Sequence, residues 1–495
     1  MERFTRRRIL GGAALAGGAL IAAPLLAACG STPAPSSTPV SAKPTEAPRP
    51  ASEAKPTEAP KPTEAPKPAV TVAPKPTEAP KPTAAAKPAK SKEPVTLRFH
   101  MRGGGDKSEP AIYVQRPDEW AQETGNKYKL EPIVGDYVGK LLALAAGNTL
   151  GDITFTTELA NAHSRFVKAG ILQPVDDFLG PYNVKKTEWQ KGIVDALTYD
   201  GKLYGLPKCG HPGDAYIWIN LKMFDDAGIK RPETYGNSFE DVATWASKLA
   251  KGPKDNREVY GYYVNVEGVQ PITNAIRSRG GDIIDEKGLI SLADTEPWFE
   301  WAKWNNQLMT VDKVHPFQQA MGGMDLAGIF AAGKLAMIHQ QRSTERAVKL
   351  AVKDKFPYTT IQFPRGPKAR GWAISINTHT GTTQSKHKEE TFTLSYALAD
   401  RRFAYLVAKE QGYLTGRVDN MDAIKELASD HFLQLQYKCE QEGEMMWRPK
   451  NLRAAELETA IKNHMDLLWL GKRQLDKAFM GELKQQLDQI LAKPE

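Results

Sequence analysis

From Pro94 onward the sequence predicts an α/β protein built as two lobes. Three observations carry that expectation. Composition changes abruptly at Pro94, from a proline-rich tract to apolar alternating runs. Strand-like and helix-like segments then alternate, the pattern of a parallel sheet covered by helices. A further series of helices and short apolar strands begins near Ser238 and closes on a long helical tail.

The elements follow in order. VTLRFHM, from Val95, alternates apolar and polar residues and reads as the first strand. EWAQETGN ends a helix at Gly125, and KYKLEPIV is the second strand. VGKLLALAAGN has helical spacing and stops at Gly147-Asn148. DITFTT is the third strand, and ANAHSRFVKAG a helix ending at Gly170. Ser238 begins a Ser-x-x-Asp string before FEDVATWASKLA. Its hydroxyl can take an orphan N–H while Asp241 reaches back. EVYGYYVNV reads as a strand. PWFEWAKWNNQLM is a helix that packs Trp298, Trp301 and Trp304. KLAMIHQ and RGWAISIN are short buried strands. From Ala455 to Leu491 the chain is mostly helical, with Leu457, Ile461, Leu468, Leu475, Phe479, Leu483 and Leu487 as its apolar stripe.

The net charge of +8 would fit a nucleic-acid partner if the folded part carried it. Instead +3 falls in residues 1–30 and +4 in residues 31–95, which leaves +1 for residues 96–495. No nucleic-acid partner is expected. Residues 1–28 have a basic start, an apolar middle and small residues at the end, the grammar of a signal peptide. Thr5-Arg6-Arg7-Arg8-Ile9-Leu10 resembles the twin-arginine export signal, with general export as the alternative. Leu26-Ala27-Ala28-Cys29 resembles a bacterial lipoprotein box, which implies cleavage before Cys29 and acyl chains that hold the protein on a membrane. KPTEAP then recurs at 43–48, 55–60, 61–66 and 75–80. Such a tract cannot build a core, and residues 29–95 are expected to form a disordered, extended spacer. At about 3.1 Å per residue it reaches on the order of 200 Å.

Five strings of the folded part resemble, in order, the extracellular solute-binding proteins, family 1, of ATP-binding-cassette importers. They are DYVGKLLALAAGNTLGDITFTT, FVKAGILQPVDDFL, YDGKLYGLP with IWINLKMFDDAGIKRPE, FAAGKLAMI, and LGKRQLDKAFMGELKQQLDQIL. The chain departs from the family at Pro232-Glu233-Thr234-Tyr235, where a gap precedes Ser238-Phe239-Glu240. The resemblance implies a periplasmic-binding-protein type II fold, with two α/β lobes joined by a hinge and a ligand cleft between them. Residues 96–213 and 372–420 would form lobe 1, and 214–371 and 421–495 lobe 2. It implies a monomeric receptor that passes a small solute of the carbohydrate class to importer permease subunits, and it requires no cofactor.

Sugar sites combine aromatic faces with planar, charge-assisted hydrogen bonds to hydroxyls. By matched position the ligand candidates are Arg102 and Asp106 after the first strand, and Thr157 and Glu158 after the third. His211 and Asp214 precede the crossing strand, and Glu267 and Gln270 follow YYVN. Gln340 and Gln341 follow AMIH, while Trp372 and Trp447 offer ring faces.

PKCGHPGDAYIWIN, residues 207–220, packs Cys209, His211 and Asp214 into one stretch and invites an enzyme reading. A catalytic cysteine needs a base and an orienting group that converge on one point, and one Gly/Pro-broken loop does not converge them. Zinc needs three or four ligands at recognisable spacing, and no Cys-x-x-Cys or His-Glu-x-x-His is present. The resemblance instead makes the stretch a passage between lobes. RGGGDKSE, residues 102–109, imitates a phosphate loop, but Asp106 separates Gly105 from Lys107. A lipid-anchored glycoside hydrolase remains the enzymatic alternative, with Glu158 and Glu267 as its carboxylates. A surface sensor without a transport role is the other alternative. Outside the cytoplasm Cys209 and Cys439 either pair or remain buried thiols, and both readings stay open.

Overall fold

The computed structural model describes residues 93–103, 109–157, 162–266, 268–419, 429–441 and 453–493. The export, lipidation and spacer segments lie outside these residues. The strands are β1 (Thr96–Arg102), β2 (Lys127–Ile133), β3 (Ile153–Thr157), β4 (Thr198–Tyr199), β5 (Lys202–Leu203), β6 (Leu206–Pro212), β7 (Tyr216–Asn220), β8 (Met337–Gln340), β9 (Tyr358–Gln362) and β10 (Ile374–Gly381). They form a first sheet in the order β2-β1-β3-β10-β6, a second in the order β8-β7-β9, and the small hairpin β4-β5.

In the first sheet β1 pairs parallel with β2 and β3. The helices Glu109–Thr124, Tyr137–Ala146 and Ala162–Lys168 alternate with these strands. That much matches the βαβ reading. A purely parallel sheet does not form, because β10 enters between β3 and β6 and runs antiparallel to both. The cause is connectivity: β10 is the chain's return from the second sheet. The first four residues of β3 are all buried, the signature of a strand covered on both faces. Leu97, Phe99 and Trp120 pack on one part of this sheet, Leu141, Phe155 and Phe166 on another, and Ile193, Leu206 and Phe392 on a third.

One large core surrounds the second sheet. It gathers Trp218 on β7, Ile338 on β8, Ile361 on β9, the helix Glu296–Asn306 and the C-terminal helices Ala454–Trp469 and Lys477–Leu491. Trp298 and Trp301 meet edge-to-face at 5.5 Å, and Trp301 meets Trp469 at 5.8 Å, so these tryptophans serve packing. Each fully buried large side chain contributes on the order of 1.5–3 kcal/mol. The capping box forms as expected: Asp241 N–H donates to Ser238 Oγ at 3.0 Å, and Ser238 N–H donates to Asp241 Oδ2 at 2.9 Å. EVYGYYVNV does not form a continuous strand. It makes isolated parallel bridges from Tyr260 to Leu335 and from Tyr263 to Ile338. At Gly261 the chain presses on the helix Phe239–Leu249, where any Cβ would strike Ala246 O.

A buried ion cluster ties the return segment, residues 363–373, to the second core. Arg277 Nη2 lies 2.9 Å from Asp282 Oδ2, and Arg370 Nη1 approaches the same oxygen at 3.3 Å. Arg370 N–H donates to Arg277 O at 2.8 Å. Arg277 is 1% exposed, so without its carboxylate it would be a stranded charge. Asp282→Ala is therefore expected to destabilise the protein by about 3–5 kcal/mol in urea unfolding. Ser238→Ala, which removes the helix cap, is expected to cost about 1 kcal/mol in the same measurement.

Candidate ligand-binding site

The chain passes between the two sheets at Gly213-Asp214-Ala215, from β6 to β7, and returns through residues 363–373 to β10. The two passages are bound to each other. Phe363 N–H donates to Ala215 O at 2.8 Å, and Gly213 N–H donates to Ala373 O at 3.0 Å. Asn274 joins both: its amide donates to Gly213 O and accepts from Ala373 N–H at 2.6 Å. Gln270 lies against Gly213 so closely that any Cβ there would collide with its amide. A side chain at position 213 would require the Gln270 amide to move.

Asp214 adopts a left-handed backbone, φ 44°, which short polar side chains tolerate better than others. Asn265 Nδ2 donates to its Oδ1 at 2.8 Å, and His339 Nε2 faces its carbonyl oxygen at 2.8 Å. The His339 ring stacks on Phe363 at 4.1 Å. Burial pushes the Asp214 carboxyl up to about 7, and the Asn265 bond only partly opposes it. Burial likewise pushes His339 down to about 4 and holds His211 well below the usual imidazole range.

Two rows of residues lie near this crossing, one at the end of the second sheet and one within the first. Gln340, Tyr216 and Gln362 lie side by side across β8, β7 and β9. Thr157, Asn377 and Cys209 lie side by side across β3, β10 and β6. Arg342, just beyond β8, spans from one row to the other. Its Nη2 reaches Cys209 Sγ at 3.4 Å, and its guanidinium lies 3.1 Å from the Tyr413 ring centroid. Asn377 Nδ2 approaches the same sulfur at 3.2 Å, while Gln362 Nε2 approaches Cys439 Sγ at 3.5 Å. Both thiols are free and buried, so the pairing option is not taken. The helix His431–Gln441 carries Cys439 and Glu440 and packs on β6 and β9.

Of the residues picked from sequence, the structure brings Thr157, Gln340, His211, Asp214 and Gln270 to this crossing or its two rows. His211 is buried opposite Ser375, and its Nδ1 lies 2.7 Å from Pro212 O. Arg102 is exposed at the end of β1, and Gln341 is exposed beside Gln340. Trp372 packs in the second sheet's core under Arg365, with its indole nitrogen unpartnered. Asp106, Glu158, Glu267, Trp447 and Cys29 lie outside the described residues.

Sequence reasoning missed Tyr216, Arg342 and Glu440. Glu440 is 3% exposed with both oxygens unpartnered. Arg342 is 7% exposed with Nε and Nη1 unpartnered, and the Tyr216 hydroxyl is likewise alone. Burial raises the Glu440 carboxyl well above its usual range, and the Arg342 charge opposes that rise. One signal was available: Phe432, Gln436 and Glu440 share a helix face at four-residue spacing, so polar residues continue a buried stripe. Among the described residues no group of three or more His, Cys, Asp or Glu is placed to hold a metal ion. The arrangement offers donors and acceptors for binding a solute.

A sequence profile of the bacterial extracellular solute-binding proteins matches residues 105–411. The chain belongs to that family. It is a solute-binding protein rather than an enzyme. No curated protein matches its sequence. Solved structures share its periplasmic-binding-protein fold. An ABC substrate-binding protein of Listeria monocytogenes in complex with cycloalternan superposes with a TM-score of 0.68 at 17% identity, over 80% of this chain and 98% of that one. The GacH receptor of Streptomyces glaucescens, studied unliganded and with acarbose, gives 0.66 at 17%, over 80% and 99%. The maltose/maltodextrin-binding domain MalE of Bdellovibrio bacteriovorus, bound to maltotriose, gives 0.61 at 13%, over 80% and 99%. Among the described residues no helix is long and apolar enough to cross a membrane.

The Asp214 carboxyl gives this solute-binding protein a pH signature. Folded, it keeps its proton up to about pH 7, against 3.8 as the ordinary value. Between those values the folded chain binds more protons than the unfolded one. Its contribution to stability therefore falls as pH rises and levels off above about 7. Asp214→Asn keeps the Oδ1 acceptor and removes the titration. The variant's stability relative to wild type is expected to climb across that window and stay constant above it, as read by urea unfolding at a series of pH values.

Proposed function

We propose that the protein is the receptor of an ATP-binding-cassette importer that captures a sugar or oligosaccharide between its lobes and presents it to the permease. The observation that carries this reading is the pair of polar rows flanking a doubly bound crossing, with buried donors and acceptors left over. Crossings held at one place let two bodies close on a ligand without losing their own cores. The structural neighbours lend support through their ligands: cycloalternan, acarbose and maltotriose are all carbohydrates. The lobes are assigned as residues 96–213 with 372–420, and 214–371 with 421–495. Trp372 packs into the second lobe's core and marks the junction.

The amino-terminal segments complete the proposal. Export follows the arginines at Arg6–Arg8, cleavage precedes Cys29, and acyl chains on Cys29 hold the receptor on the outer face of the cell membrane. The KPTEAP spacer carries the binding lobes away from that surface. Arg102, Thr157, Gln270 and Gln340 are proposed ligand contacts, with Asp214 and His211 shaping the crossing.

Two experiments test this. A thermal-shift panel of maltotriose, mannobiose and tagatose should include a ligand that stabilises the native state. At a hundredfold excess over Kd the gain is about 2.7 kcal/mol. A panel of saccharides without any shift would sink the carbohydrate reading. Cys29→Ser in the native host should move the protein from the membrane fraction to the soluble fraction. Retention on the membrane would refute the lipid anchor.

A further inference from the structure

Two buried arginines stand at the close of the helix Val269–Arg277, and they are treated differently. Arg277 reaches Asp282 at 2.9 Å. Arg279, two residues on, is 9% exposed, and the carboxylates of Glu300 and Glu240 act on it through charge alone, without a hydrogen bond. Its Nη1 donates to Ala275 O at 2.8 Å. Its guanidinium lies 3.6 Å from the Phe239 ring centroid and 5.4 Å from that of Trp304. Its Nη2 has no hydrogen-bond partner within the protein. Tyr262 meets the same Trp304 edge-to-face at 6.0 Å and is fully buried, and its hydroxyl is also unpartnered. Arg279 and Tyr262 are near enough to feel each other's charge, yet they do not bond to each other. Burial lowers the Arg279 guanidinium to about 9, so it is a cation at neutral pH. Burial raises the Tyr262 phenol well above its usual range, so it keeps its proton.

We propose that Arg279 Nη2 and the Tyr262 hydroxyl bind a small monovalent inorganic anion of the halide kind within the second core. The site makes no use of the residues at the crossing and does not depend on the receptor reading. The choice of ligand follows from the donors and the charge. A guanidinium has no acceptor, and a phenol that keeps its proton has one hydrogen to give. Two unanswered donors call for an acceptor between them. A water would take both bonds but leave the buried positive charge unanswered, whereas an anion answers both demands. The number of donors sets the size of the ion. Sulfate or phosphate brings several oxygens that each need a donor, and the neighbouring walls are the rings of Phe239 and Trp304. A single-atom ion needs no more than the two bonds. Phe239 covers one face of the guanidinium and Ala275 O takes Nη1, so the edge that carries Nη2 is held in place before the ion arrives. The ion would tie the turn after the helix Val269–Arg277 to the segment of Tyr262.

The test compares the full chain with Arg279→Met and Tyr262→Phe at pH 7, in sodium chloride and in sodium gluconate at equal ionic strength. Melting temperature and the line width of the chloride NMR signal are read for each protein. Wild type is expected to melt about 2 °C higher in chloride and to broaden the chloride line. Added bromide is expected to compete and narrow that line again. Arg279→Met is expected to lose both responses. Tyr262→Phe, which removes one hydrogen bond to a charged partner, is expected to need about tenfold more chloride for half the effect. Equal melting of wild type in the two salts, with no broadening, overturns the proposal and leaves water as the bridge. So does a response that Arg279→Met keeps in full. If Arg279→Met does not fold, Tyr262→Phe decides: an unchanged chloride midpoint overturns the assignment, and a raised one upholds it. Failure here leaves the receptor reading untouched.

Discussion

The structure depends on two neighbouring passages of the chain between its two sheets. A crossing of this kind leaves backbone N–H and C=O groups outside any ladder, and buried backbone groups demand partners. The protein meets that demand by bonding the two passages to each other and by inserting one amide between them. Asn274 serves as donor to one passage and acceptor from the other. Its helix, Val269–Arg277, is buried along its whole length. The crossing is thereby fixed to the second core, while β6 and β10 continue directly into the first sheet. Bending can then concentrate in the few residues where the strands leave the clamp.

That geometry decides where charge can be kept. His339 holds the Asp214 carbonyl from β8, and Arg342 stands three residues further along the same chain. Arg342 is thus carried by the second sheet yet touches Cys209 and Tyr413, which belong to the first sheet's core. A contact this close to the crossing has a short lever arm. Opening of the lobes displaces it less than it displaces groups further out. The unpartnered polar atoms of Tyr216, Arg342 and Glu440 lie near this contact. Their cost is carried by the ligand-free protein, in line with the general trade between stability and function.

Much of the fold was legible in the sequence, because periodicity and punctuation are local. β1 to β3, the capping box at Ser238 and the tail helices all declare themselves through spacing and turn residues. The antiparallel β10 did not, because strand direction depends on where the chain has been, and RGWAISIN looks the same in either direction. EVYGYYVNV carried strong strand composition, yet tertiary contact with the helix Phe239–Leu249 limited it to isolated bridges. The passage PKCGHPGDAYIWIN was readable as a crossing, but the roles within it were not. Nothing local says that Gly213 faces Gln270 or that Asp214 turns left-handed.

The site was less legible for a related reason. Matched position points to polar and aromatic residues such as Arg102, Gln341 and Trp372; the first two are exposed and the third packs in a core. The groups that stand unpartnered carry no common local mark: Tyr216 opens the apolar run YIWIN, whereas Arg342 stands in HQQRSTER and Glu440 in QYKCEQ. Neighbours in space, not in sequence, are what desolvate such a group. A guanidinium in water binds a hydroxyl weakly because water competes for it. The same group among Tyr413, Cys209 and a strand end has lost its water and gains more from each ligand bond.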